Sequence, residues 1–145
     1  MSGDNRISMV RASIVLTPVG VIHSPYRERG DAPRQGRDSS VICTVEIFPE
    51  FLPAMGTMEG IAYIWILYWM DRADRTLLMA RRSDWTEPRP VFTIRSPSRP
   101  NPLALSIGKI LNIEGRIITV SGIEALNGSP VIDIKPYVRE LDCIE

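Results

Sequence analysis

The chain has little of several residues on which common chemistries depend. It holds one histidine, His23, and two cysteines, Cys43 and Cys143, which lie far apart and in no CxxC pair. That inventory supplies no transition-metal ligand set and no disulfide framework. The ten glycines form no GxGxxG and no Walker loop, which argues against a Rossmann or P-loop nucleotide site. No GxSxG elbow gives His23 a nucleophile to activate. Long apolar runs are missing too: residues 61–70 are too short to span a bilayer and run straight into Asp71-Arg72. Residues 1–6 lead into no signal-type apolar stretch, so the expectation is a cytoplasmic protein without membrane attachment. Any catalysis then rests on placement, dipoles, arginine and carboxylate.

What is present describes one globular domain of 145 residues, 44% hydrophobic and formally neutral. Fifteen of the 17 cations are arginine, leaving only Lys109 and Lys135. A GC-rich genome explains such a bias; so does a cationic face for a phosphate backbone, because the acids concentrate elsewhere. Residues 1–12 are polar, lack periodicity and read as a disordered tail, leaving 13–145 as the domain. The remainder reads as strands. Residues 14–22 are β-branched but broken by Pro18, which suits an edge or a bulge. A long polar loop over 23–40 precedes a clear strand at 41–48, and residues 49–56 suit a helical turn. Residues 60–70 read as a strand buried on both faces, and 76–82 as another. The best-marked hairpin pairs 103–113 with 117–123, and Asn127-Gly128 turns the chain into a last strand at 131–134. This pattern predicts a mainly β fold: a single compact antiparallel β-barrel with long loops and little helix.

Three polar segments are expected to converge at one barrel mouth. The most informative is Arg95-Ser96-Pro97-Ser98-Arg99-Pro100-Asn101-Pro102, whose prolines forbid a helix or interior strand. Guanidinium forks on so stiff a backbone suit planar anions, although the residues alone slightly favour a merely stiffened surface loop with solvated arginines. The second is Ala32-Pro33-Arg34-Gln35-Gly36. The third is the turn from Glu124 to Pro130 together with Asp133 and Lys135-Pro136-Tyr137. Alternation from Val131 turns Asp133 inward, where it would need Arg95 or Arg99 as a partner. A structural ion pair and a catalytic base are both open for it. His23 reads as a strand-end residue or as a second base, and Tyr63, Trp65, Tyr68 and Trp69 as core.

Taken in order, Gly20-Val21-Ile22-His23-Ser24-Pro25-Tyr26, Ala32 to Gly36, Phe92 with Arg95 to Pro102, and Ser129 to Tyr137 resemble the TsaA-like family of S-adenosylmethionine-binding β-barrel proteins. The resemblance spans roughly residues 14–140. It implies a homodimer with S-adenosylmethionine near the subunit interface, and methylation of N6 of threonylcarbamoyladenosine beside the tRNA anticodon. It also implies cofactor contacts from Pro33, Arg34, Gln35, Asp71, Arg72, Arg95, Leu105, Glu124, Ala125, Leu126 and Asn127. The physical chemistry of the ligand agrees: a carboxylate for arginine, a sulfonium for a carboxylate or carbonyl, an adenine for amides and apolar walls. For transfer, Asp133 is the candidate base and His23 the second. Arg27, Arg29, Arg37, Arg99, Asn101 and Tyr137 are candidates for the RNA or substrate. The chain departs from the family pattern at Ala104, Glu124 and Asn127, and it stops where characterised bacterial members carry a further C-terminal domain. Two other functions stay open: a non-catalytic cofactor- or RNA-binding barrel that needs a partner, and methylation of another small substrate.

Overall fold

The computed structural model describes residues 11–28, 30 and 41–145. Six strands close into an antiparallel barrel in the order β1, β2, β7, β6, β3, β8. They are β1 (Gly20–His23), β2 (Ile42–Ile47), β3 (Tyr63–Trp69), β6 (Leu103–Glu114), β7 (Ile117–Ser121) and β8 (Pro130–Pro136). A separate two-stranded ribbon, β4 (Met79–Ala80) with β5 (Arg89–Pro90), stands in the long excursion between β3 and β6. The predicted barrel is therefore what forms, and among the described residues helix is limited to short turns such as Leu52–Met55.

Alternation explains the interior. Ile22, Val45, Ile64, Ile66, Ile118, Val120 and Val131 turn inward and are fully buried, with Cys43, Ile47 and Tyr68 beside them. Close approach of strands needs small residues at two points. A Cβ on Gly20 would run into the carbonyl oxygen of Glu46, and one on Gly108 would lie 3.1 Å from Cδ1 of Ile66 and 3.3 Å from Cβ of Val120.

Three local expectations are corrected. Residues 14–19 are not strand: Pro18 removes a ladder donor, so pairing begins at Gly20. The strand over 60–70 is buried on one face only, since Ile64, Ile66 and Tyr68 alternate with half-buried Trp65, Leu67 and Trp69. Residues 76–82 shrink to the two-residue β4. Beyond β5, whose last residue is Pro90, the chain forms a 3-10 turn over Val91–Thr93.

Strand polarity sorts the loops into two ends. The loops after β1, β3 and β7 open at one mouth, which receives the excursion 70–102 and the turn 122–129. The loop 48–62, the turn at Gly115-Arg116 and residues 137–145 lie at the other end.

Candidate functional site at the barrel mouth

The mouth is tied together by one guanidinium. Arg72, just past β3, donates Nη1 to the carbonyl of Arg27 at 3.0 Å and Nη2 to the carbonyl of Asn127, and its Nε lies 3.5 Å from Asp71. The loop after β1 joins the same turn directly. Ser24 N donates to Oδ1 of Asn127 at 3.0 Å, Asn127 N to the carbonyl of Tyr26 at 2.6 Å, and Gly128 N to that of Ile22 at 2.8 Å. Gly128 has φ +85°, the left-handed geometry that the Asn-Gly pair supplies cheaply. Asp71, Arg72 and Asn127 are thus brought together as expected, with Arg27 alongside.

Just inside the mouth runs a short polar chain that the sequence did not disclose. Ser106 turns into the barrel, 6% exposed, and donates Oγ to Oε1 of Glu124 at 3.2 Å. Tyr68 is 2% exposed and hydrogen-bonded to Ser106. Burial, reinforced by the neighbouring Glu124 charge, pushes its phenol well above the usual tyrosine range, against the pull of the Ser106 bond. Nearby, burial also pushes the Cys43 thiol up, offset in part by a hydrogen bond with Ser24. Ser106 interrupts an apolar inward row, which was the available signal. Tyr68 looked like ordinary core by its setting in an aromatic run.

The remaining candidates separate. Ala125 is core, 1% exposed, and the carbonyl of Leu126 accepts from both N and Oγ of Ser129, so these two shape the turn. Arg95 is exposed and its guanidinium has no partner among the described residues. Arg99 is half-buried and committed to its own loop, donating to the carbonyls of Val91 at 2.5 Å, Ser96 at 2.9 Å and Ile94 at 3.2 Å. That corrects its expected substrate role: it staples the proline motif. Asn101 accepts from Arg75 at 3.3 Å, and Arg75 also donates to the carbonyl of Pro100 and lies 5.0 Å over the Trp69 ring. Asn101, Arg75 and Trp69 border an outer groove of about 500 Å³ that also includes Leu16, Leu103 and Ile132.

Leu105 faces the outer wall, 56% exposed and paired with Leu67, away from the inward Ser106. Asp133 is on that same wall. β8 carries one extra residue opposite Leu67 and Tyr68, so Asp133 pairs with outward Leu67 while Val131 pairs with inward Tyr68. The expected inward carboxylate is therefore corrected: its partner is Lys135 at 3.1 Å, not Arg95 or Arg99. His23 also points outward and meets Glu46 at 3.0 Å, with Arg116 3.7 Å from the same carboxylate. Tyr137 lies at the opposite end of the barrel, against Tyr63 and Trp65, so the segment 135–137 does not join the mouth. Pro33, Arg34, Gln35, Arg29 and Arg37 lie outside the described residues, as does most of the tail expected over 1–12. No helix among the described residues is long and apolar enough to cross a membrane, and no metal-ligating cluster occurs among them.

A closed antiparallel barrel with its polar groups gathered on the loops of one mouth defines a barrel-borne ligand site, distinct from any Rossmann arrangement. The profile of the tRNA-methyltransferase O N-terminal domain matches residues 21–143, and the chain belongs to that family. An S-adenosyl-L-methionine-binding protein of Archaeoglobus fulgidus is 46% identical over 131 residues, 90% of this chain and 94% of that protein. Human tRNA (adenine(37)-N6)-methyltransferase is 30% identical over 145 residues, but these make up only 31% of the human protein. A crystal structure of TrmO superposes with a TM-score of 0.77 at 30% identity, covering 92% of this chain and 61% of that one. The chain thus spans about three-fifths of the solved structure's length.

Proposed function

We propose that this chain binds S-adenosylmethionine at the barrel mouth and transfers its methyl group to N6 of threonylcarbamoyladenosine beside the anticodon of tRNA. The observation that carries the reading is the mouth itself. Arg72 locks the turn 124–127 to the loop after β1, while Arg95 on its proline-stiffened loop keeps a guanidinium without a partner among the described residues. Those groups fit the cofactor: a free guanidinium for its carboxylate, and the Glu124 carboxylate, held by Ser106, for its sulfonium or ribose. The bound cofactor would supply an electrophilic methyl group. The protein's part is to hold acceptor and methyl carbon in line, which alone can account for most of such an acceleration. His23 and Asp133, each engaged on the outer wall, are not assigned proton transfer. A cytoplasmic homodimer, with exposed Leu105 at or near the interface, belongs to the same proposal.

The second reading is a cofactor-binding barrel without its own transfer activity. It draws support from relatives matched nearly end to end that are named for binding alone. Radiolabelled methyl transfer to tRNA with and without the threonylcarbamoyl group decides between the two. Transfer only to the modified tRNA, abolished in Arg95→Ala, is the expected result. Cofactor binding with no transfer to either RNA would refute the first reading and leave the second.

A further inference from the structure

The neutral formal charge of the chain hides a separation that the fold makes spatial. Between β3 and β6, residues 70–102 hold seven arginines (72, 75, 81, 82, 89, 95 and 99) against four acids (71, 74, 84 and 87), a net of +3. The loops at the opposite end, with Glu114 at the tip of β6, hold six acids (50, 59, 114, 140, 142 and 145) against Arg116 and Arg139. A polyanion is therefore steered to the mouth end and repelled from the other.

Within the excursion, the β4–β5 ribbon presents a built cationic element. Trp85 sits in the loop joining the two strands, with the guanidinium carbon of Arg89 4.1 Å and that of Arg82 5.3 Å from its ring centroid. Arg82 is further fixed by Asp84, through Nε at 3.2 Å and Nη2 at 3.0 Å. Stacking orients the Arg89 fork without consuming its N–H groups, which donate to nothing among the described residues. Arg81, just past β4, is exposed and also without a partner among them. Phe92, 84% exposed, adds an aromatic face just past β5. The Arg89 guanidinium, held on a tryptophan and without a partner among the described residues, with exposed Arg81 and an exposed aromatic nearby, is what phosphates and an unstacked base require.

We propose that the β4–β5 ribbon, through Arg81, Arg89 and the Trp85 stack, is an RNA-docking surface that grips the phosphate backbone beside the barrel mouth. The assignment rests on the reading of the mouth as acting on RNA and adds to it where that RNA is held. Solvated surface arginines would not need the tryptophan, nor would they gather on the excursion that also carries Arg95.

The test is anisotropy-monitored binding of an anticodon stem-loop RNA over a salt series, with S-adenosylmethionine binding followed by calorimetry on the same proteins. Two variants are compared with wild type: Arg81→Glu, which breaks no bond among the described residues, and Arg81→Ser/Arg89→Ser. Removing one phosphate-binding cation lowers the log–log salt slope by roughly 0.7–0.9, so the double variant should show a slope smaller by about 1.5 and an affinity weaker by on the order of tenfold or more. Cofactor binding should stay at the wild-type level in both. Wild-type slope and affinity in both variants would overturn the docking surface while leaving the mouth's function intact. A wild type that binds cofactor but no RNA would overturn both the RNA substrate and the surface. Displacement of the RNA by polyglutamate as readily as by unlabelled RNA would overturn the assignment in favour of an acidic protein partner.

Discussion

Replacing Arg72 by alanine is the sharpest test of how the mouth is assembled. Its guanidinium joins three segments remote in sequence: the carbonyl of Arg27, the carbonyl of Asn127, and the carboxylate of Asp71. A hydrogen bond from a charged donor contributes about 1.5–3 kcal/mol when buried, and an exposed ion pair only ~0–1 kcal/mol. The Arg72 side chain is 42% exposed, so water replaces part of each interaction on removal, and the total cost is about 1–2 kcal/mol. A chain of 145 residues unfolds with an entropy of roughly 0.3 kcal/mol/K, which makes the expected fall in Tm about 3–7 °C. Arg72→Lys keeps the charge but reaches one carbonyl at a time, and should fall between wild type and alanine. The assay is thermal melting with and without S-adenosylmethionine. Because the turn 124–127 loses its tie to the first loop, cofactor affinity should drop about tenfold. That drop removes ~1.4 kcal/mol from the stabilisation a fixed excess of cofactor confers. A wild-type Tm together with a wild-type cofactor shift would refute the view that Arg72 organises the site.

Three further outcomes follow from the interior. Tyr68 has its phenol pushed up in the folded protein, so its contribution is fully present below the ordinary tyrosine value of about 10 and is lost as pH rises beyond it; Tyr68→Phe should flatten the alkaline fall in stability measured by urea titration. Buried Cys43, its thiol also raised, should resist maleimide under native conditions while exposed Cys143 reacts at once, and equal rates would show that the barrel opens readily. Gly20→Ala should cost about 2–4 kcal/mol, read as a lower urea midpoint, because the new Cβ meets the backbone carbonyl of Glu46 and not a side chain that can swing away.

The barrel was legible because its signals are local. β2, the β6–β7 hairpin and the Asn127-Gly128 turn each carry their own alternation or turn chemistry, and each forms where that chemistry places it. The proline motif could be read as rigid, but not what holds it. Arg99 turns back onto its own loop while Arg95 has no partner among the described residues, and nothing in the spacing separates the two. Side-chain direction failed at a single residue. Period-two counting from Val131 sends Asp133 inward, yet Ile132 is the extra residue of a bulge, so the phase resets and the carboxylate emerges beside Lys135. The same slip that denies the interior a charge turns Ile132 toward the outer groove it shares with Trp69 and Leu103. The interior's polar groups come instead from Ser106 and Tyr68, which stand on two strands paired in regular register. The Ser106 hydroxyl reaches Glu124 only because β7 returns to the mouth before the turn begins, an arrangement set by barrel closure that no window of sequence contains.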